Sequence, residues 1–211
     1  MSKFRRIDYE NWDRRELYEF FGRTTIYMTV QLDIRPLWDR VKASGQRLYP
    51  ALLYCAAKVV NGDPAFRYDL DGEQRVGRWD RLDPYYTVPR RGAGDLFSMV
   101  CTPYTESYAD FYRAYLRDAE AAAACGRLIC GELPPNGFGV TAVPGTHYAS
   151  FCFTGDPKTD LKPFVAYGGV QQEGEKRLLP VTVEFAHGVN DGAHVSRFFA
   201  RLESELRGLE L

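Results

Sequence analysis

Three residues separate His187 from the pair Asp191-Gly192, within Phe185-Ala186-His187-Gly188-Val189-Asn190-Asp191-Gly192. Imidazole is largely neutral near pH 7 yet able to take a proton, so a histidine held at a strand end can serve as a general base. An aspartate and a glycine just beyond can fix the turn that aims it. The run before it, Leu178-Leu179-Pro180-Val181-Thr182-Val183-Glu184-Phe185, is strand-like, and an amphipathic helix follows. The chain has three histidines, His147, His187 and His194, so few groups compete for the role.

The elements that must position this turn follow from periodicity and end signals. Arg14–Phe21 reads as a short helix capped by Asn11 or Asp13. Thr24–Asp33 alternates as a strand, with Ile26, Met28, Val30 and Leu32 on one side. Asp33 and Pro36 start a helix to about Ala43. Pro50 opens another, Ala51–Asn61, apolar nearly all round and so expected to be buried. Phe66–Leu70 and Gln74–Trp79 flank Asp71-Gly72, a hairpin signal. Tyr86–Val88 and Leu96–Cys101 read as strands. A helix over Ser107–Ala123 carries Tyr108, Phe111, Tyr112, Tyr115, Leu116 and Ala119 at helical spacing. Gly139–Val143, Tyr148–Phe153, Val165–Gln171 and Arg177–Phe185 complete the strands. The last helix sets Val195, Phe198, Phe199, Leu202 and Leu206 on one stripe. The fold class is therefore α/β, an α+β two-layer sandwich in which helices cover a mixed, largely antiparallel sheet.

Bulk properties narrow the function. The 211 residues form one domain, 1–211, long enough to bury a real core. A formal net charge of −1 argues against nucleic acid or a membrane surface as partner. No apolar run approaches the roughly 20 residues of a membrane-spanning helix, and the charged start, Met1–Arg6, lacks the apolar stretch of a signal peptide. Cys55, Cys101, Cys125, Cys130 and Cys152 are odd in number and irregular in spacing, with no Cys-x-x-Cys. They read as reduced thiols of a cytoplasmic protein, with no metal site. Aromatics make up 14% of the chain, which suits a large core, an apolar ligand pocket or a subunit interface.

Several segments taken in order resemble the chloramphenicol acetyltransferase family. They are Ile7–Glu16, Tyr27–Ile34, Tyr49-Pro50-Ala51, Asp63–Arg67, Tyr86-Thr87-Val88, Gln171–Gly174 ahead of Leu178-Leu179-Pro180, and His187–Gly192 leading into His194–Phe198. The resemblance covers nearly the whole chain. It implies the CoA-dependent acyltransferase fold, a homotrimer with active sites between subunits, and acetyl transfer from acetyl-CoA to a hydroxyl of a small molecule. It implies that His187 is the base, that Thr141 stands where the family has a serine donating to the oxyanion, and that Asp191 and Arg14 form a structural, fork-like ion pair. Gly192 is expected to allow the tight turn or close packing beside Asp191. Phe20, Phe21, Thr25, Tyr27, Phe97, Met99, Leu128, Phe151 and Phe153 fall on or near family pocket positions and together describe an aromatic slot for an aryl ligand.

The chain departs from the family pattern at Ala186, Asn190, Gly145, Gly169-Val170 and Ala166, positions usually held by His, Cys, an aromatic, Lys-Tyr and Thr. Arg90, Arg91, Lys58 and Lys176 are the cations available to offset the missing CoA-side lysine. Two other readings are an O-acyltransferase of the same fold acting on another hydroxyl acceptor, and a low-turnover trimeric ligand-binding protein.

Overall fold

The computed structural model describes residues 2–22, 24–153 and 160–211. Along the chain run β1 (Phe4–Arg6), α1 (Arg15–Phe21), β2 (Thr25–Asp33), α2 (Arg35–Ser44), α3 (Leu48–Asn61), β3 (Tyr68–Leu70), β4 (Val76–Trp79), β5 (Asp83–Pro89) and β6 (Phe97–Cys101). Then come α4 (Tyr108–Ala124), β7 (Gly137–Ala142), β8 (Phe164–Tyr167), β9 (Gln171–Glu173), β10 (Lys176–Ala186) and α5 (Gly192–Gly208).

Six strands form the main sheet in the order β2-β10-β8-β7-β5-β6, with β9 added beside the start of β10. β5 with β7 and β7 with β8 are parallel, and the other pairs are antiparallel, so the sheet is mixed as expected. A small sheet, β1-β4-β3, stands apart from it. No helix among the described residues is long and apolar enough to cross a membrane.

Alternation along the strands divides the main sheet into two faces. Leu179, Val181, Val183 and Phe185 of β10 are buried in one core with Leu53, Ala56 and Val60 of α3 and Phe198 and Leu202 of α5. α3 is buried all round and α5 along its expected stripe. Truncating one of these large side chains, such as Phe185, would cost about 3–5 kcal/mol. The opposite face carries Thr25, Tyr27 and Thr29 of β2, Thr182 and Glu184 of β10, Ala166, Thr141, Thr87 and Met99, as their pairing requires.

Four local expectations change. Tyr148–Phe153 forms no strand: the segment lies over the second face, held by side chains instead of a ladder. Gln31 Nε2 donates to the Tyr148 carbonyl at 2.8 Å, the Tyr148 hydroxyl donates to the Ala166 carbonyl at 3.1 Å, and the Tyr27 hydroxyl donates to the Phe153 carbonyl at 3.0 Å. The expected strand Val165–Gln171 breaks at Gly168-Gly169, whose N–H groups turn to the carbonyls of Pro180 and Thr146. α1 has no side-chain cap, because the Asn11 amide donates to Asp8 and the N-cap position falls to Arg14. In the β3–β4 hairpin the left-handed residue is Gln74, with φ of 60°, while Asp71 Oδ1 accepts from the Glu73 and Arg75 N–H groups.

Candidate active site

His187 is the first residue past β10, and its N–H donates to the Thr24 carbonyl at 2.8 Å. The Phe21 ring stacks on the imidazole, with centroids 4.1 Å apart and planes 21° from parallel. Phe20 in turn packs edge-on against Phe21 at 4.6 Å. The ring is half-buried, and its Nδ1 is buried with no hydrogen-bond partner among the described residues. Backbone and aromatic contacts therefore orient this imidazole, and no carboxylate among the described residues bonds Nδ1.

Asp191 acts on the other side of the turn. Its Oδ1 accepts from the Ala193 and His194 N–H groups at 3.0 and 3.4 Å and lies 2.8 Å from His194 Nδ1, so it caps α5. Its Oδ2 accepts from Arg14 Nη1 at 3.2 Å. The expected fork is thus a single bond, because the helix cap occupies the other oxygen. Burial pushes the Asp191 carboxyl up, but the His194 hydrogen bond and charge, the Arg14 bond and the helix N–H outweigh it and bring it down to about 2. Asp191 therefore joins α1, through Arg14, to the start of α5. The two remaining buried nitrogens of Arg14 have no partner among the described residues.

The close approach in this turn belongs to Gly188 rather than Gly192. A Cβ on Gly188 would stand 2.9 Å from Tyr18 Cδ2, 3.1 Å from Tyr18 Cα and 3.3 Å from Gly22 Cα, whereas one on Gly192 would meet nothing within 4 Å. Gly188 lets α1 lie directly against the turn that carries His187. The only sequence signal for it was a glycine following a histidine at a strand end. Asn190 is buried and donates from Nδ2 to the Ala65 carbonyl at 2.8 Å, anchoring the same turn from below.

Thr141 does not share a site with His187 inside one chain. It pairs with Ala166, which pairs with Thr182. Two inter-strand gaps of ~4.8 Å and the five residues from Thr182 to His187, at ~3.3 Å each, separate them by roughly 20 Å. The expected aromatic slot splits in the same way. Phe20, Phe21, Thr25 and Tyr27 lie at the β2 edge with His187, and Phe153 joins them through the Tyr27 hydroxyl. Phe151 packs on Phe153 at 5.0 Å. Phe97 and Met99 lie on β6, the opposite edge, with Leu128 accepting a hydrogen bond from the Met99 N–H. Each chain thus presents two separate clusters on one face, one with His187 and one with the Thr141 hydroxyl. Phe20, Phe97, Leu128 and Phe153 are all exposed there.

A hydroxyl chain that the sequence did not reveal crosses this face. Thr29 and Thr182 lie 2.7 Å apart, Thr182 Oγ1 donates to the Tyr148 hydroxyl at 3.4 Å, and Tyr148 donates to the Ala166 carbonyl. A largely apolar cleft of about 1160 Å³ opens between the sheet and α2–α3, reaching Ala142, the residue after Thr141. Tyr49, Thr87, Val88, Gly145, Gly169 and Val170 are among its lining residues. Of the offsetting cations, Lys58 is engaged by Glu205 at 2.7 Å, Arg91 by Glu120, and Arg90 by Ser98 and the Gly126 carbonyl.

Comparison with known proteins agrees with this architecture. The chain matches the family model of chloramphenicol acetyltransferase over residues 2–203. It is similar to chloramphenicol acetyltransferases of Staphylococcus aureus (32% identity, covering 95% of this chain and 94% of that protein), Clostridium perfringens (34%; 93% and 92%) and Campylobacter coli (34%; 97% and 99%). In fold it is similar to a solved chloramphenicol acetyltransferase, with TM-score 0.80 at 23% identity over 97% of this chain and 98% of that one. A dihydrolipoamide acetyltransferase of Azotobacter vinelandii shares the fold at TM-score 0.66 and 16% identity, over 90% of this chain and 84% of its own. With a family model spanning nearly all its residues and relatives above 30% identity over nearly its full length, this chain belongs to the chloramphenicol acetyltransferase family.

Proposed function

We propose that this chain, as a single cytoplasmic domain assembled into a homotrimer, transfers the acetyl group of acetyl-CoA to a hydroxyl of chloramphenicol. The observation that carries the reading is the stacked, half-buried His187 in the Arg14–Asp191-braced turn of a chain belonging to this family. The 20 Å gap between His187 and Thr141 supports pairing of the two half-sites across a subunit boundary, the base from one copy and the hydroxyl from the next.

The chemistry follows from those groups. His187 takes the proton of the acceptor hydroxyl, and the oxygen attacks the thioester carbonyl carbon directly. The tetrahedral oxyanion accepts a hydrogen bond from Thr141 Oγ1 of the adjacent copy. Collapse breaks the carbon–sulfur bond, and the CoA thiolate takes the proton from the His187 imidazolium. The cleft suits the pantetheine arm: it is largely apolar, and Ala142, which follows the proposed oxyanion donor Thr141 in the chain, lines it. Gly169 and Val170 line it where the family resemblance puts a CoA-holding Lys-Tyr, and Gly145 where it puts an aromatic, so the co-substrate is held here with fewer contacts and a higher KM. The exposed Phe20, Tyr27 and Phe97 suit an aryl acceptor.

The test is free-thiol release from acetyl-CoA, with and without chloramphenicol, by wild type and by His187→Ala. Chloramphenicol-dependent release that vanishes in the variant is expected. Release with other hydroxyl acceptors alone would reassign the acceptor, and binding without release would favour the sequestering role.

A further inference from the structure

A second cavity, of about 580 Å³, lies on the small sheet, apart from the clusters around His187 and Thr141. Four arginines line it: Arg5 and Arg6 of β1, Arg67 just before β3, and Arg78 of β4. Two are neutralised. Arg5 forks onto Asp80 at 2.8 and 3.2 Å, and Arg6 Nε donates to Asp71 at 2.7 Å. The other two are not. The ladder sets Arg5 directly opposite Arg78, a like-charge pairing that costs stability, and Asp80 counters only Arg5. The Arg78 guanidinium lies over the Tyr68 ring at 5.2 Å and has no ion pair among the described residues. Arg67 Nη1 donates to the Asp80 carbonyl, and its Nε is buried with no partner among the described residues. Burial, with the Arg78 charge adding to it, pushes the Arg67 guanidinium below its ordinary range, against the pull of Asp80 and Asp63. Asp63 itself is taken by Arg197 at 2.8 Å and Arg201 at 3.2 Å. The loop after β1 adds Asp8 and Asp13 to the lining; Asp8 accepts from the Asn11 amide at 2.7 Å, and neither pairs with a cation among the described residues.

We propose that this cavity binds a hydroxyl-bearing phosphomonoester, with the phosphate on Arg67 and Arg78 and the hydroxyls on Asp8 and Asp13. A phosphomonoester carries close to two charges and three acceptor oxygens. It supplies an acceptor for the orphaned Arg67 Nε and a counter-charge for Arg78, and guanidinium forks match its geometry. A carboxylate offers one charge and two oxygens, too few to satisfy both guanidiniums. Ionised Asp8 and Asp13 accept hydrogen bonds only, so they call for donors and repel a second anionic group. The ligand therefore carries a single phosphate at one end and hydroxyls at the other. Ile7, Trp12 and Pro64 supply apolar wall for its body, and the volume is that of a small-molecule site and not of a lone ion. The site stands independently of the acetyl-transfer reading.

Isothermal titration calorimetry of the full chain with AMP and with ribose 5-phosphate tests it, with adenosine and inorganic phosphate alongside. Saturable binding of at least one ester at one site per chain is expected, with adenosine and inorganic phosphate weaker by about 10-fold or more. Equal binding of the two esters makes the sugar the recognised body, and binding of AMP alone makes it the whole nucleoside. Arg78→Gln, at an exposed position outside the proposed catalytic groups, should weaken binding by about 10–100-fold with the melting temperature retained. Arg67→Gln should weaken it too, but the Arg67 guanidinium also bonds the Asp80 carbonyl, so Arg78→Gln is the deciding variant. No binding of either ester at millimolar concentration, or binding that Arg78→Gln leaves unchanged, overturns the site. Equal affinity for inorganic phosphate overturns the organic ligand. Binding that saturating acetyl-CoA abolishes and Arg78→Gln does not alter puts the ester in the cleft at Ala142 and overturns the site as well. A wild-type chain without acetyl-transfer activity would count against that reading and leave the calorimetry standing.

Discussion

The Phe21 ring lies flat on the His187 imidazole at 4.1 Å, so the same aromatic that edges the proposed acceptor half-site also backs the proposed base. Phe21 comes from α1 and His187 from the end of β10, and Gly188 is what allows those elements to meet. In the proposed mechanism this single packing contact couples recognition to proton transfer.

That coupling makes Phe21→Ala a double lesion. Freeing the ring should cost about 10²-fold in kcat, since a displacement on the order of 1 Å at the reacting centre costs that much. Chloramphenicol KM should rise as well. Steady-state kinetics with chloramphenicol varied at saturating acetyl-CoA checks it. A change in KM alone would remove Phe21 from positioning the base.

Hybrid trimers test the split site. His187→Ala and Thr141→Ala should each be nearly inactive, with Thr141→Ala down by about 10²-fold as for a lost oxyanion donor. Mixed at equal amounts through unfolding and refolding, they should regain activity, because about a quarter of the interfaces then hold an intact base facing an intact hydroxyl. Activity that stays at the level of the parents would place both groups in one chain's site.

Gly188→Ala and Gly192→Ala should differ sharply. The first drives a methyl into Tyr18 and should destabilise by about 1–3 kcal/mol, as overpacking does, while lowering kcat. The second adds a methyl in open space at the start of α5 and should be neutral or stabilising by about 0.4–1 kcal/mol. Thermal melts of the two variants decide between this assignment and the reverse.

Asp191 gives a pH signature. Its carboxyl sits at about 2 in the folded chain, below the ordinary 3.8, so the folded state binds this proton more weakly than the unfolded one. Its stabilisation is complete above about pH 4 and is lost as pH falls from there toward 2. Denaturant titrations of wild type and Asp191→Asn should therefore converge on acidification through that window. Asparagine keeps the α5 cap, so the difference isolates the charge toward Arg14 and His194. Asp191→Ala removes the cap too and should cost a further ~0.5–2 kcal/mol.

Much of this protein was legible in one dimension. The apolar spacings of α3 and α5, the alternation of β2 and β10 and the break set by Asp33 and Pro36 are local signals, and each appears in the structure close to where it was read. The resemblance of ordered segments named His187, Arg14 and Asp191, and the last two do meet. Tyr148–Phe153 misled because its alternating aromatics look like a strand, yet their partners are side-chain and carbonyl groups of distant strands. Gly188, the Thr29–Thr182–Tyr148 hydroxyl chain and the single-bonded form of the Arg14–Asp191 pair were decided only by tertiary structure. Each depends on how strands order and how close two elements pack, and sequence periodicity carries no information about either. The same reason splits the aromatic positions into two half-sites: residue types report a preference for a ligand, but the strand order β2-β10-β8-β7-β5-β6 sets which of them can reach it together.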